Sequence, residues 1–324
     1  MAVSENKRLE KRLDPTRPVS IWKGQDLLDG RTVESLTVIL RTVGCRWNRC
    51  TMCGYASEGA PATAEDLLAQ FDKARQRLSP DVKVMKIYTS GSFLDPREVP
   101  YPVRDRILDL LKSAGIERLV IESRPEHINS ERVEACLSWV ETEFAIGLET
   151  SNDLIRQEII CKGFTFQDYI EASETVHEQG GRVKAYLLLK PPHLSEGQAL
   201  RDSIASANAA RRYADVLSLN LCNVQRGTYV ERLWERGEYR PPWLWSAVEV
   251  LRSVEGPIIC DPVGAGTRRG PHNCGKCDAS IAEAIRNHAL TQDPGIFEDL
   301  DCECKRTWQK VLELEESSFG SALT

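Results

Sequence analysis

Residues 36–55 read LTVILRTVGCRWNRCTMCGY. The run LTVIL at 36–40 has the length and the β-branched, apolar composition of a buried strand. It passes directly into a loop with Cys45, Cys50 and Cys53 at C-x4-C-x2-C spacing. Three thiols so close in sequence curl the backbone around a common centre. They are three rather than four. A structural zinc site is closed by four ligands, and an ordinary [4Fe–4S] cluster also uses four cysteines. Three cysteines therefore leave one position open: on an iron cluster it would accept another molecule, and on a zinc ion a distant residue would complete the site.

The same kind of apolar run recurs as VKVMKIY (82–88), RLVIES (118–123), FAIGLE (144–149), VKAYLLL (183–189) and DVLSLNL (215–221). Amphipathic, helix-length segments at 101–114, 128–140, 165–179, 196–213 and 242–254 alternate with them, as does AEDLLAQFDKARQRL after Thr63, where Asp66 completes a capping-box pattern. Strand starts fall roughly 30–45 residues apart, the size of a βα unit. The expected fold is α/β, a partial (β/α)6 barrel over residues 34–255. In such folds the site lies at the carboxyl ends of the strands.

Residues 1–33 read as an N-terminal arm with a short docking segment, and 256–324 as a cysteine-rich C-terminal extension. The extension opens with PIIC at 257 and runs into a Gly/Pro-rich basic turn containing Arg268 and Arg269. Within it Cys274 and Cys277 form C-x2-C, and Cys302 and Cys304 form C-x-C. Four thiolates close a structural site, and zinc explains them without a second redox task. An auxiliary [4Fe–4S] cluster would use the same ligands. Cys136, Cys161 and Cys222 read as small buried hydrophobes.

The chain has 324 residues, 42 basic and 48 acidic, for a net charge of −6, and 11 cysteines. An odd number of cysteines cannot all pair in disulfides within one chain. The opening MAVSENKRLEKRLD has no apolar core of a secretory signal, and no apolar run reaches the roughly 18 residues of a membrane span. The expectation is a cytoplasmic protein without a membrane partner, its thiols kept for metal or catalysis. The acidic balance excludes a generic nucleic-acid coat protein.

The cysteine loop, with Met52 before its last cysteine, resembles the signature of the radical S-adenosylmethionine family. The resemblance implies a radical-SAM partial barrel, a [4Fe–4S] cluster on Cys45, Cys50 and Cys53, and S-adenosylmethionine on its open iron. TSGSFLD (89–95) resembles the family's glycine-containing segment and implies cofactor contacts at Ser90, Gly91 and Ser92. GLETSNDLIR (147–156) resembles a strand end that places Glu149 and Thr150 near the ribose. Lys184 is a candidate for the cofactor carboxylate, with a solvated strand-end lysine as the plain alternative, and the backbone near Val224 is a candidate for the adenine. Arg124 in IESRPEHI binds cofactor or substrate on this reading, or simply pairs with Glu122 or Glu126.

Taken with CDPVGAGTRRGPHNC (260–274) and LDCEC (300–304), these segments resemble the radical subunits of archaeal archaeosine synthases. The Elongator catalytic subunit and the methylthiotransferases are broader relatives. The resemblance implies a lyase acting on tRNA that carries a lysine-linked preQ0 nucleoside in its D-loop. It also implies a lysine-transferring partner subunit and an external electron donor. Arg124, Arg268 and Arg269 are the RNA-contact candidates. Two other classes stand beside this reading: a radical enzyme acting on a small metabolite with an auxiliary cluster in its tail, and a zinc-binding interaction module.

Overall fold

The computed structural model describes residues Asp14 to Ser317. The first 13 residues of the expected arm and the last seven of the expected extension lie outside the described residues. One sheet contains eight strands in sequence order, β1 to β8. All six expected strands are present: β2 (Arg31–Ile39), β3 (Val82–Tyr88), β4 (Arg118–Ser123), β5 (Glu141–Glu149), β6 (Arg182–Leu189) and β7 (Val216–Leu221). The helices between them are α1 (Ala64–Arg75), α2 (Tyr101–Ser113), α3 (Ser130–Leu137), α4 (Phe166–Glu178) and α5 (Glu196–Ala210). The chain packs as two compact units. Among the described residues, the first holds 14–48, Tyr55–Ile146 and Ile170–Val183; the second holds Arg49–Gly54, Gly147–Tyr169 and 184–317.

In the first unit β2, β3, β4 and β5 pair parallel in succession. Leu36, Val38, Met85, Ile87, Leu119, Ile121, Phe144 and Ile146 are fully buried, as strands covered on both faces require. Helix α1 starts as its sequence dictates: Thr63 Oγ1 accepts from the Asp66 N–H at 3.2 Å, and Asp66 Oδ2 accepts from the Thr63 N–H at 2.9 Å. The arm differs from expectation. Residues Ser20–Leu28 form a full strand, β1, antiparallel to β2. Asp29 (φ 49°) and Gly30 (φ 79°) make the two-residue turn between them. This is the turn in which two consecutive left-handed residues match the twist of a hairpin. Strand β1 is mostly exposed, so it carries no apolar run to betray it.

In the second unit β6, β7 and the two-residue β8 (Ile258–Ile259) pair parallel. Helices α6 (Tyr229–Glu235), α7 (Leu244–Ser253), α8 (Asp278–Thr291) and α9 (Cys304–Ser317) follow β7 and β8. The described residues after 256 belong to this same compact unit, and α9 packs on α5. A buried polar network ties them. Glu196 is fully buried; its Oε1 accepts from the Trp243 N–H (2.8 Å) and the Ser246 hydroxyl (2.6 Å), and its Oε2 lies 2.7 Å from Lys190 Nζ. Trp308 Nε1 donates to the same Ser246 hydroxyl at 2.9 Å, and Glu315 accepts from the Glu196 N–H. Every charge in this dry region has a partner, the condition under which buried ions are tolerated.

Cys136 and Cys222 are buried as expected; burial pushes both thiols up to about 12, which keeps them inert. Cys161 is different. It is partly exposed and left-handed (φ 60°), a turn residue rather than a core one.

Candidate active site and metal centre

In the first unit, Cys45 follows β2 and lies against the segment that follows β3. A Cβ added to Gly91 would lie 2.8 Å from Cys45 Cα and 3.0 Å from Cys45 Cβ, and would also strike the Glu98 carboxylate. Only glycine lets these two backbones approach so closely. Glu98, which the sequence reading missed, fastens the two loops. Its Oε2 accepts from the Thr42 hydroxyl at 2.6 Å, and its Oε1 accepts from the Ser92 N–H at 2.8 Å. Burial raises its carboxyl above the ordinary value, against the lowering effect of these donors. Ser90 and Ser92 are both buried in this segment. Arg124 Nε donates to Glu126 at 2.5 Å, and the guanidinium lies over the Trp47 ring, 5.3 Å from its centroid. Its N–H donates to Ser92 Oγ at 3.0 Å.

In the second unit, Cys50 and Cys53 sit on a loop pinned by four hydrogen bonds. The Thr51 N–H donates to Ile160 O (2.9 Å) and the Thr51 hydroxyl to Ile159 O (2.9 Å). Thr51 O accepts from the Val230 N–H at 3.2 Å, and the Gly54 N–H donates to Gln225 Oε1 at 2.6 Å. Cys53 N–H closes a turn on Cys50 O at 3.2 Å. Met52 packs into an apolar cluster of Ile160, Leu188, Cys222, Val224, Val230 and Leu233. Its side chain thus anchors the loop by burial while the flanking cysteines stay partly exposed.

At the carboxyl end of β5, Glu149 is buried and left-handed (φ 68°). Its Oε1 lies 2.5 Å from Lys162 Nζ. Gly147 makes the room, since a Cβ there would meet Lys162 Nζ at 2.6 Å. Cys161 and Gly163, on either side of Lys162, are left-handed too. Three left-handed residues spent on one ion pair mark a built feature. Thr150 is fully buried, its hydroxyl 2.9 Å from Asp202 Oδ1 and 3.1 Å from Ser206 Oγ.

Two expected placements change. Lys184 is neither at the carboxyl end of β6 nor solvated: it is the third residue of the strand, buried, and five residues (about 17 Å of strand) before Leu189. The lysine at that end is Lys190, left-handed and bound to Glu196. The Val224 N–H is already committed to Arg269 O at 2.8 Å, so only its carbonyl remains as a backbone group for a ligand.

The tail cysteines form the tightest donor set. Cys274, Cys277, Cys302 and Cys304 have all four Sγ atoms within 4.8 Å of one another. Individual separations are 3.9 Å (Cys274–Cys277), 3.7 Å (Cys274–Cys302) and 3.5 Å (Cys277–Cys304). A tetrahedron of sulfurs around one ion at about 2.3 Å has edges of about 3.8 Å. An iron–sulfur cube would hold each thiolate on a different iron and spread the sulfurs much further. The donor set fits one ion. Trp245 Nε1 lies 3.3 Å from Cys304 Sγ and Asn273 Nδ2 lies 3.4 Å from Cys277 Sγ, so both N–H groups serve thiolate charge. The Lys276 N–H, above all, pulls the exposed Cys274 thiol down to about 7.

The chain matches the Radical SAM superfamily over residues 39–201. It is 47% identical to archaeosine synthase subunit beta of Methanosarcina acetivorans, across 98% of this chain and 96% of that one. It is 40% identical to the protein of the same name from Thermococcus kodakarensis, across 91% and 97%. Among solved structures it is similar to Elp3 of Methanocaldococcus infernus, with a TM-score of 0.52 at 17% identity over 79% of this chain and 63% of that one, a likeness of fold alone.

Proposed function

Because the chain belongs to the radical SAM superfamily and, within it, to the family of archaeosine synthase beta subunits, we propose that it cleaves the lysine-derived carbon–nitrogen bond of a lysine-linked preQ0 nucleoside in tRNA, leaving the formamidine of archaeosine. The observation that carries this reading is the 47% identity along 98% of the chain with a relative of that name. Residues Cys45, Cys50 and Cys53 would hold a [4Fe–4S] cluster with one iron open to S-adenosylmethionine. When bound, that pair supplies a 5′-deoxyadenosyl radical from one electron and the cleaved sulfonium bond.

The chain's own residues hold and shape the site. Gly91 gives the Cys45 backbone its clearance, and Glu98 fixes the loops on either side. Met52 and Thr51 hold Cys50 and Cys53 in place. Ser90, Gly91 and Ser92 face the methionine end of the cofactor on this reading; Glu149, kept in place by Lys162, takes the ribose hydroxyls, with Thr150 beside it. Val224 offers its carbonyl to the adenine. The lysine-transferring partner subunit prepares the substrate, and a separate electron donor reduces the cluster. Among the described residues no helix is long and apolar enough to cross a membrane, in keeping with the cytoplasmic location such a substrate requires. The tail cysteines would hold zinc on this reading; their sulfur separations suit one tetrahedral ion. They also disfavour the alternative of a small-metabolite enzyme with an auxiliary cluster in its tail.

The test is anaerobic incubation of the reduced protein with S-adenosylmethionine and lysine-modified tRNA, followed by nucleoside mass spectrometry. Archaeosine is the expected product. Cofactor cleavage with the modified nucleoside left intact would overturn the substrate assignment while leaving the superfamily membership untouched.

A further inference from the structure

The tRNA reading leaves open how a chain of net charge −6 holds a polyanion. The second unit carries a local exception. Residues 226–236 and 263–270 contain five arginines and two glutamates. Arg226, Arg232 and Arg268 are exposed, while Arg269 is partly so. One of the two glutamates, Glu231, is already engaged: Arg269 pairs with it, and the Gly227 N–H donates to its other oxygen at 2.6 Å.

Aromatic rings are interleaved with these charges. Arg268 and Arg269 both lie over the Trp234 ring, 5.9 and 4.8 Å from its centroid. Arg232 lies 5.5 Å from the Tyr229 centroid, and the Tyr229 hydroxyl is 3.0 Å from His193 Nε2. Trp234 and Tyr229 rest on the apolar cluster beneath, so their rings are held rigidly while part of each remains at the surface.

All of these residues lie in the segments that follow the carboxyl ends of β6, β7 and β8. They adjoin the loop bearing Cys50 and Cys53. Gln225, next to Arg226, accepts from the Gly54 N–H, and the Val230 N–H in α6 donates to Thr51 O. We infer that this arginine–aromatic surface around Trp234 and Tyr229 binds the tRNA backbone beside the cysteine loop. The inference rests on the tRNA reading above. Arginines supply phosphate contacts, and guanidinium planes held over aromatic rings supply faces on which a nucleotide unstacked from its neighbours can stack. A base must leave its stack to reach chemistry in a protein pocket, so a stacking platform next to the cysteine loop is where that need arises.

The experiment measures tRNA binding by the cluster-loaded chain, by filter retention across 50 to 200 mM KCl. It compares the wild type with Arg226→Gln/Arg232→Gln/Arg268→Gln and with a charge-matched control, Arg106→Gln/Arg212→Gln/Arg286→Gln. The first variant should bind about tenfold or more weakly at low salt. Its plot of log affinity against log salt should be shallower by about two to three units, one phosphate contact per arginine. The control should behave like the wild type. Equal losses in both variants would overturn the surface, because bulk charge would then explain them. So would full tRNA affinity in the first variant. If the wild type binds no tRNA even with its partner subunit present, the substrate reading itself fails, an outcome distinct from the others.

Discussion

Replacing Gly91 by alanine tests how the first cysteine is placed. The new methyl carbon would sit 2.8 Å from Cys45 Cα. Ordinary carbon contacts begin near 3.4 Å or beyond, so the two backbones must separate by about 0.6 Å. The Glu98 carboxylate on the other side cannot absorb the shift, because Thr42 and the Ser92 N–H hold it. Overpacking of this kind in a buried region costs about 1–3 kcal/mol. Each kcal/mol lowers Tm by about 2–4 °C in a unit of 150–250 residues, which gives a fall of about 2–12 °C. Because the displaced group is a proposed cluster ligand, iron retention should fall with it. Differential scanning calorimetry and iron analysis of the anaerobically reconstituted protein provide both readings. An alanine variant with wild-type Tm and a full iron complement would refute the steric argument.

The tail should hold about one zinc per chain, and Trp245→Phe, which removes the N–H pointing at Cys304 Sγ, should weaken metal affinity about 10–100-fold in a chelator competition; an unchanged affinity would show that this donor does not serve the thiolate. Lys162→Met leaves the Glu149 carboxylate buried without its ammonium partner and should cost about 3–5 kcal/mol in denaturant unfolding. The double variant Glu149→Gln/Lys162→Met should cost less than that single change, and a more costly double variant would count against a buried pair. The raised Glu98 carboxyl makes a signed pH prediction. Its contribution is fully present below the unfolded value of 4.5 and is lost as pH rises through the higher folded value. The stability advantage of the wild type over Glu98→Gln should therefore shrink as pH increases from about 4.5, and a difference flat in pH would remove the argument.

The parallel strands were legible because they are buried on both faces: β3 and β4 have the bounds read from VKVMKIY and RLVIES. Strand β1 was not, because its side chains face mostly water and composition carries no trace of burial there. A different signal was present, since Asp29-Gly30 is a strong hairpin dipeptide. The tail cysteines were legible from spacing, but their fit to a single ion needed the sulfur separations. Glu98, Lys162 and Lys190 were not legible at all. Their roles depend on left-handed turns and on glycines that open space for a neighbour's side chain, and neither is written in hydrophobic periodicity. Lys184 is a different case: VKAYLLL already read as ending at Leu189, so its place early in β6 was legible, but its burial was not.

The network around Glu196 also sets an order of events during synthesis. Glu196 and Lys190 leave the ribosome about fifty residues before Ser246 and more than a hundred before Trp308 and Glu315. Until those later residues arrive, a carboxylate and an ammonium destined for the dry interior lack most of their hydrogen bonds. Domains made by the ribosome commonly fold from the amino terminus as they emerge, yet here the buried pair just after β6 draws its hydrogen bonds from residues made much later. The partners of Glu196 are complete only once α9 has emerged, and the residue that begins α9 is Cys304, a member of the four-sulfur centre. Were the four sulfurs to take up a single ion, that step would come late in synthesis, after Cys302 and Cys304 have emerged.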